Sequence, residues 1–500
     1  MKTKQVALLY LIIPFIIFCF GWLKWYYSVA TFIVTGFALF RTLKYYHDRA
    51  DSMVELTRNQ YAILAVISLL VSWLNGVGGY WSQSSDWMAK NPLLNDLSTY
   101  SWPLIVCPEY WDEHLQAIAG TDSMAFVYYL FYFLPAGLMG QLFGIAIARL
   151  SIFIWTACGL FIFLSLLAEF ISQDKKLSVI WISTVFLFWG GFDIIGQTLR
   201  MFYLWNPSVP MGEQHLYATW RIDEWCRPYF TYYAANWTSL FWCFNQSIPI
   251  WIIVILLIDK AALSVIGFLY SFSLLYSPWG AMGMAPLVVY YVIRKCWGCW
   301  LTMKSMLNVQ NVVFPLLILV IVGSFYMSNR TSLSEKGWYW KFLSHRDFWG
   351  LYFVFIVIEL GAFFVVLKED IKNNLWLQGA YVMLLVIPLY KMTHWNDWLM
   401  RASIPSLSVV CCCFISRVNQ NCFFRNRLFS IIVTLGSFSA IQLIFNSFSD
   451  TIKNGRPQTT LEDESFVSPK EEGVVSLGEN QFYAHDYENT FFWKYLAKKN

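Results

Sequence analysis

The chain has 500 residues, of which 58% are hydrophobic and only 13% charged, and its mean hydropathy is +0.49. A soluble core of this size cannot bury so much apolar surface, so the composition excludes an ordinary soluble globular protein and points to a polytopic membrane protein. The net charge of +4 is small for the length and is spread among loops; no basic patch with interleaved aromatics argues for a nucleic-acid partner.

A window of about 20 residues finds fourteen apolar segments, near 5–23, 25–43, 61–80, 124–142, 144–170, 177–196, 239–258, 261–277, 283–295, 310–327, 349–367, 375–391, 401–416 and 428–446. The first follows Lys2 and Lys4 as a signal peptide would, but no small-residue cleavage site follows it, and it reads as a retained helix. Between the third and fourth segments lies an acidic, tryptophan-rich loop, Ser82-Gln-Ser-Ser-Asp86-Trp87-Met-Ala-Lys90-Asn91-Pro-Leu-Leu-Asn95-Asp96. A carboxylate among aromatics that settle at a membrane interface is well placed to take a proton from a hydroxyl acceptor. The eleven cysteines are scattered and mostly apolar in context; Cys296-Trp-Gly-Cys299 is the one CxxC and reads as two small residues at a helix end.

Cytoplasmic loops retain Lys and Arg. Basic residues at 41–58, Lys175 and Lys176, Lys260, 294–304, Lys368 and Lys372, and 417–427 mark the inside loops. If all fourteen segments crossed, Lys175 would lie outside. Segment 124–142, with Tyr128, Tyr129, Tyr132 and Pro135, suits a broken helix lying in the outer interface, which leaves thirteen crossings. The expectation is therefore an all-α polytopic membrane protein with about thirteen transmembrane helices and a juxtamembrane helix in the first large outer loop. Its organisation would be two N-terminal helices and a cytoplasmic loop over 1–60, a transmembrane domain over 61–446 with an outer loop at 81–143, and an extracytoplasmic tail from 447.

This pattern resembles the GT-C superfamily: an acidic first outer loop, then Val127-Tyr-Tyr-Leu-Phe-Tyr-Phe-Leu-Pro135, then Gly144 and Ala148-Arg149-Leu150 opening the next helix. Further segments look like those of bacterial GT-C-like membrane proteins: Asp86-Trp87 with Asn95-Asp96-Leu97 and Trp102-Pro103, Gly190-Gly191-Phe192-Asp193, Phe241-Trp-Cys-Phe-Asn245-Gln246-Ser-Ile-Pro249, Ser277-Pro278-Trp-Gly280 and Asn396-Asp397-Trp-Leu-Met-Arg401. Where the first motif is associated with lysine-histidine-asparagine, this chain has Lys90-Asn91, so no role for that histidine carries over.

The resemblance implies a membrane-embedded, inverting glycosyltransferase that moves a sugar from a polyprenyl-phosphate donor to a glycan, lipid or protein acceptor. It implies a multi-pass protein of the bacterial cytoplasmic membrane, with lipid as surroundings and the site facing the periplasm. Asp86 is the candidate general base, against the alternative of a helix N-cap; Asp96 is the second candidate carboxylate. Trp87 and Lys90 flank the base. Arg401, paired with Asp397 at the outer end of a span, is the candidate contact for the departing phosphate. The wet aromatic segment 213–236 supplies His215, Glu224 and Asn236 as candidate sugar contacts. His215 with Glu213 or Glu224 is an alternative divalent-cation site, although the spacing matches no strong metal motif, so no residue is assigned to a metal. A non-catalytic transporter or flippase, or a polymerase or ligase of lipid-linked glycans, is the alternative function.

Overall fold

The computed structural model describes residues 2–48, 55–106, 110–112, 117–119, 123–171, 178–204, 221–226, 231–259, 263–330, 336–342, 345–393, 396–420, 427–455, 457, 465–467 and 482–499. The chain is an all-α fold carrying the apolar helices of a multi-pass membrane protein. Among the described residues seven helices are long and apolar enough to cross a membrane: Thr3–Trp22 (α1), Trp25–His47 (α2), Ile145–Ile171, Asn236–Ile258, Val309–Met327, Asp347–Asn373 and Asp397–Gln420. A bent pair, Arg427–Gly436 and Phe438–Asn454, would make an eighth. Several of the thirteen expected crossings coincide with shorter helices, among them Arg58–Leu74 (α3) and Leu375–Leu389.

Breaks explain the shorter pieces. Segment 177–196 divides into Val179–Leu187 and Asp193–Leu204, separated by Gly190 and Gly191. Segment 124–142, which follows Trp87–Thr99 (α4), begins as a strand, Met124–Phe126, and becomes helical over Phe131–Phe143, where a 3-10 turn at Phe131–Phe133 runs into Leu134–Phe143 (α5). Thirteen residues rise about 20 Å, short of the roughly 30 Å of a hydrocarbon core. Met124–Phe126 are extended because they pair on both sides. Ile105–Val106 (β1), Met124–Phe126 (β2) and Tyr483–Ala484 (β3) form an antiparallel sheet in the order β1-β2-β3, with Ala125 opposite Ala484.

The described parts of the tail therefore belong to the folded body. Phe466, Phe482, Tyr483, Phe492 and Trp493 are buried, Leu23 bridges Ala497, and Lys498 N–H donates to Trp22 O at 2.9 Å. This fixes the polarity of the bundle. The tail, α4 and the C-terminal end of α1 share one end. At the opposite end Lys4 pairs with Asp259, Thr3 donates to Glu169, and Asn419 Nδ2 donates to Ile171 O at 2.8 Å.

Besides a short helix at Trp300–Ser305, the chain continues with Ile145–Ile171 (α6), Val179–Leu187 (α7), Asp193–Leu204 (α8), Asn236–Ile258 (α9), Ile266–Tyr276 (α10), Pro278–Cys296 (α11), Val309–Met327 (α12), His345–Asn373 (α13), Leu375–Val386 (α14), Asp397–Ala402 (α15), Ile404–Gln420 (α16), Arg427–Gly436 (α17) and Phe438–Asn454 (α18).

Candidate functional site

Three glycines with positive φ, Gly76, Gly78 and Gly79 at 71°, 78° and 81°, turn the chain out of α3 and aim it at the loop. Side chains with a Cβ rarely adopt that region. The loop is then tied down: Gln83 Nε2 donates to Gly76 O at 2.9 Å, Asn91 Nδ2 donates to Gln83 Oε1 at 3.0 Å, and Trp81 Nε1 donates to Ser447 Oγ at 2.8 Å.

Asp86 occupies the N-cap position of α4, yet its side chain makes no capping hydrogen bond. Its carboxylate is 42% exposed and lies 3.8 Å from Lys90 Nζ, one turn on. Lys90 is enclosed. Its ammonium donates to Trp242 O and lies 5.6 Å from the Trp87 ring centroid and 5.3 Å from that of Phe244. Burial pushes the Lys90 amine below the usual lysine range, Asp86 and Cys243 oppose that shift, and the positive field of Arg401 adds to it. Trp87 is fully buried and stacked on Phe244 at 5.3 Å, so it packs the site rather than facing a ligand.

The Trp242 carbonyl is available because α9 is broken. Cys243 has non-helical angles, φ −139° and ψ 42°, and Pro249 lacks the N–H that would return to Asn245 O. The carbonyl of Phe241 accepts from Ser84 Oγ at 3.1 Å. The first loop thus satisfies two carbonyls beside the break.

The opposite wall comes from α15. Thr393 and Asn396 hold positive φ, 68° and 54°, a costly conformation for residues with a Cβ and one that clusters at functional sites. Asn396 Nδ2 donates to Thr231 Oγ1 at 3.2 Å, and Asp397 N–H donates to Thr393 Oγ1 at 3.1 Å. Arg401 lies 3.4 Å from Asp397 Oδ1 and 5.6 Å from the centroid of Tyr129. Its Nε is buried, and among the described residues nothing accepts from it. Lys90, Cys243 and Tyr128 each lie within the electrostatic reach of both Asp86 and Arg401. The fold therefore brings Asp86, Lys90, Asp397 and Arg401 to one place, walled by Tyr128 and Tyr129.

The other expected residues lie elsewhere. Asp96 is fully buried on α4, where its carboxylate accepts from Ser465 Oγ, from Phe466 N–H at 2.7 Å and from Val467 N–H at 3.2 Å. It anchors the tail and presents no oxygen to an acceptor hydroxyl. Burial pushes its pKa up to about 6 against those three hydrogen bonds, which pull it down. Glu224 is buried in an ion pair with Arg221 at 3.0 Å. Asn236 is buried and donates to Phe186 O at 2.8 Å, bracing α9 against the end of α7. His215 and Glu213 lie outside the described residues. Among the described residues no group of three or more His, Cys, Asp or Glu is placed to hold a metal ion.

Sequence reasoning did not single out Trp242 or the break at Cys243; Pro249 within an apolar run was the available signal. No protein-family model, curated protein or solved structure matches this chain.

Proposed function

We propose that the protein is an inverting, membrane-embedded glycosyltransferase acting on the outer face of a bacterial cytoplasmic membrane, with a polyprenyl-phosphate sugar as donor. The observation that carries this reading is the convergence of an exposed carboxylate that makes no capping bond, Asp86, with a guanidinium whose buried Nε has no acceptor among the described residues, Arg401. Asp86 takes the acceptor hydroxyl proton as its oxygen attacks the anomeric carbon. The bond from that carbon to the phosphate oxygen breaks, and the electron pair leaves with the polyprenyl phosphate. Negative charge grows on the departing phosphate, where the planar fork of Arg401 and the ammonium of Lys90 stabilise it. Asp96, Glu224, Asn236 and the packed Trp87 leave the substrate-contacting set, and His215 lies outside the described residues, so Asp86, Lys90, Asp397 and Arg401 remain.

A transporter or flippase of lipid-linked glycans is the second reading, favoured by the discontinuous spans at α7–α8 and α17–α18. A polymerase or ligase would use the same carboxylate and cation. Asp86→Asn in vesicles separates the classes. Loss of sugar transfer by about 100-fold or more, with donor binding retained, is expected of the base. Transfer at the wild-type rate removes Asp86 from that role, and lipid flipping without any transfer by the unaltered protein favours the transporter.

A further inference from the structure

Glu359 is the one Asp, Glu, Lys or Arg between Asp347 and Lys368. Its helix, α13, is largely exposed, with only 33% of its most apolar window buried, whereas Glu359 itself is 2% exposed. An acid at the middle of such a helix, turned inward, marks a functional position.

What Glu359 meets is Asp193, the buried first residue of α8. The two carboxyls lie within electrostatic reach of one another. Both crowd Gly191, where a Cβ would overlap Glu359 Oε2 and lie 3.3 Å from Asp193 Oδ1. The outer oxygens have ordinary donors: Trp225 Nε1 gives to Glu359 Oε1 at 2.8 Å, and Ser439 Oγ gives to Asp193 Oδ2 at 2.7 Å. Asp193 Oδ1 is enclosed, and among the described residues no N–H or O–H donates to it. Ionised carboxylates only accept, so two enclosed carboxyls this close around Gly191 can bond one another only if a proton lies between them.

Charge balance agrees. Segment 221–226 faces the pair with Asp223, Glu224 and Arg221, whose guanidinium donates to Asp223 at 3.1 and 3.0 Å and reaches Glu224 at 3.0 Å. Cys226 and Tyr233 also face Glu359, and Arg200 on α8 faces Cys226. On the α18 side stand the neutral Ser439 and Gln442. Among the described residues, two arginines against four carboxylates leave an excess of two negative charges if all ionise; one bound proton halves it, and buried uncompensated charge is costly.

From this geometry we infer that Asp193 and Glu359 form a one-proton binding site, a carboxylic acid hydrogen-bonded to a carboxylate, that latches α8 to α13. The latch lies at the α7–α8 break, where Gly190 packs on Gly436 so closely that a Cβ on Gly436 would sit 2.7 Å from Gly190 O. Losing the proton would set two like charges against each other there and release α8.

Infrared spectroscopy and melting of the full chain in detergent, between about pH 5 and pH 9, test the inference. The wild type is expected to show a protonated carboxyl C=O stretch at neutral pH that shifts in D2O. Asp193→Asn, whose amide N–H can replace the shared proton, is expected to lose that band. The folded state holds a proton that the separated groups have released, so wild-type stability should fall with rising pH, by up to about tenfold per pH unit in the unfolding equilibrium. The profile should flatten in Asp193→Asn and in Glu359→Gln. Absence of the band in the wild type overturns the inference even if a variant fails to fold. So does a band that persists unchanged in both variants, or one common pH profile for all three proteins.

Discussion

Replacing Asp96 by alanine should release residues 465–467 from α4 while leaving the rest of the tail docked. The carboxylate accepts from two backbone N–H groups and one hydroxyl. Hydrogen bonds to a charged acceptor contribute about 1.5–3 kcal/mol each, roughly 4–9 kcal/mol in total. Burial outweighs these bonds, since the pKa raised from 3.8 to about 6 is the balance of the two, so that total is an upper bound. The loss on truncation is expected to be about that of one such bond, roughly 1.5–3 kcal/mol, or about 10- to 150-fold in the opening equilibrium. Hydrogen exchange at the Phe466 and Val467 amides should accelerate by that factor, with Tyr483 and Ala484 protected as before by strand pairing. The sign with pH follows from the raised value. Docked Asp96 holds a proton that the undocked group has lost, so docking is strongest below about pH 4 and weakens as pH rises through about 6. Wild-type exchange, corrected for its intrinsic rate, should therefore quicken from about pH 4 to pH 7, and the alanine variant should not show this dependence. Unchanged protection in Asp96→Ala, or a flat wild-type profile, would refute the reasoning.

Lys90→Met keeps the apolar stem between Trp87 and Phe244 but leaves the Trp242 carbonyl without its ammonium. A stability loss of about 1–3 kcal/mol is expected in melting, and sugar transfer should fall by about 10- to 100-fold, a 1.4–2.8 kcal/mol higher barrier; wild-type transfer would show that Lys90 only packs. Gly191→Ala places a methyl against Glu359 and should destabilise the protein by about 1–3 kcal/mol. The same change in a Glu359→Ala background should cost distinctly less, and equal costs in both backgrounds would mean that the close approach is not the cause.

What the sequence made legible was whatever local pattern and charge decide. Asp86 was selected as a carboxylate among interfacial aromatics in the first large outer loop and Arg401 as a cation at the outer end of a span, and the fold puts both within reach of Lys90 and Tyr128. Charge parity led to the expectation that 124–142 does not cross. It could not foresee the strand at Met124–Phe126, because the partner of Ala125 is Ala484, far along the chain, and no local period encodes such pairing. The same distance hid Asp96: a carboxylate in a polar loop reads as solvated until Phe466 and Val467 arrive. Glu224 and Asn236 were chosen for sugar-like surroundings, and their acids and aromatics instead satisfy Arg221 and the end of α7. Composition cannot distinguish a polar group that awaits a ligand from one already paired inside the fold.

Trp242 links the two charged regions, and its replacement can measure that link. Its carbonyl holds Lys90 on one side, and its ring lies 5.1 Å from the Arg221 guanidinium on the other. Trp242→Leu keeps the carbonyl and removes the ring. The loss of a desolvated cation–π contact, about 2 kcal/mol, adds to a cavity of comparable or larger cost. Lys90→Met and Trp242→Leu act on one residue's backbone and side chain at the break in α9, so their effects on melting should not add. A coupling of about 0.5–3 kcal/mol is expected for groups that share a partner. Additivity within about 0.5 kcal/mol would show instead that the α9 break holds its shape without the ring. The Asp86 site and the Arg221 cluster would then be neighbours in space but energetically independent.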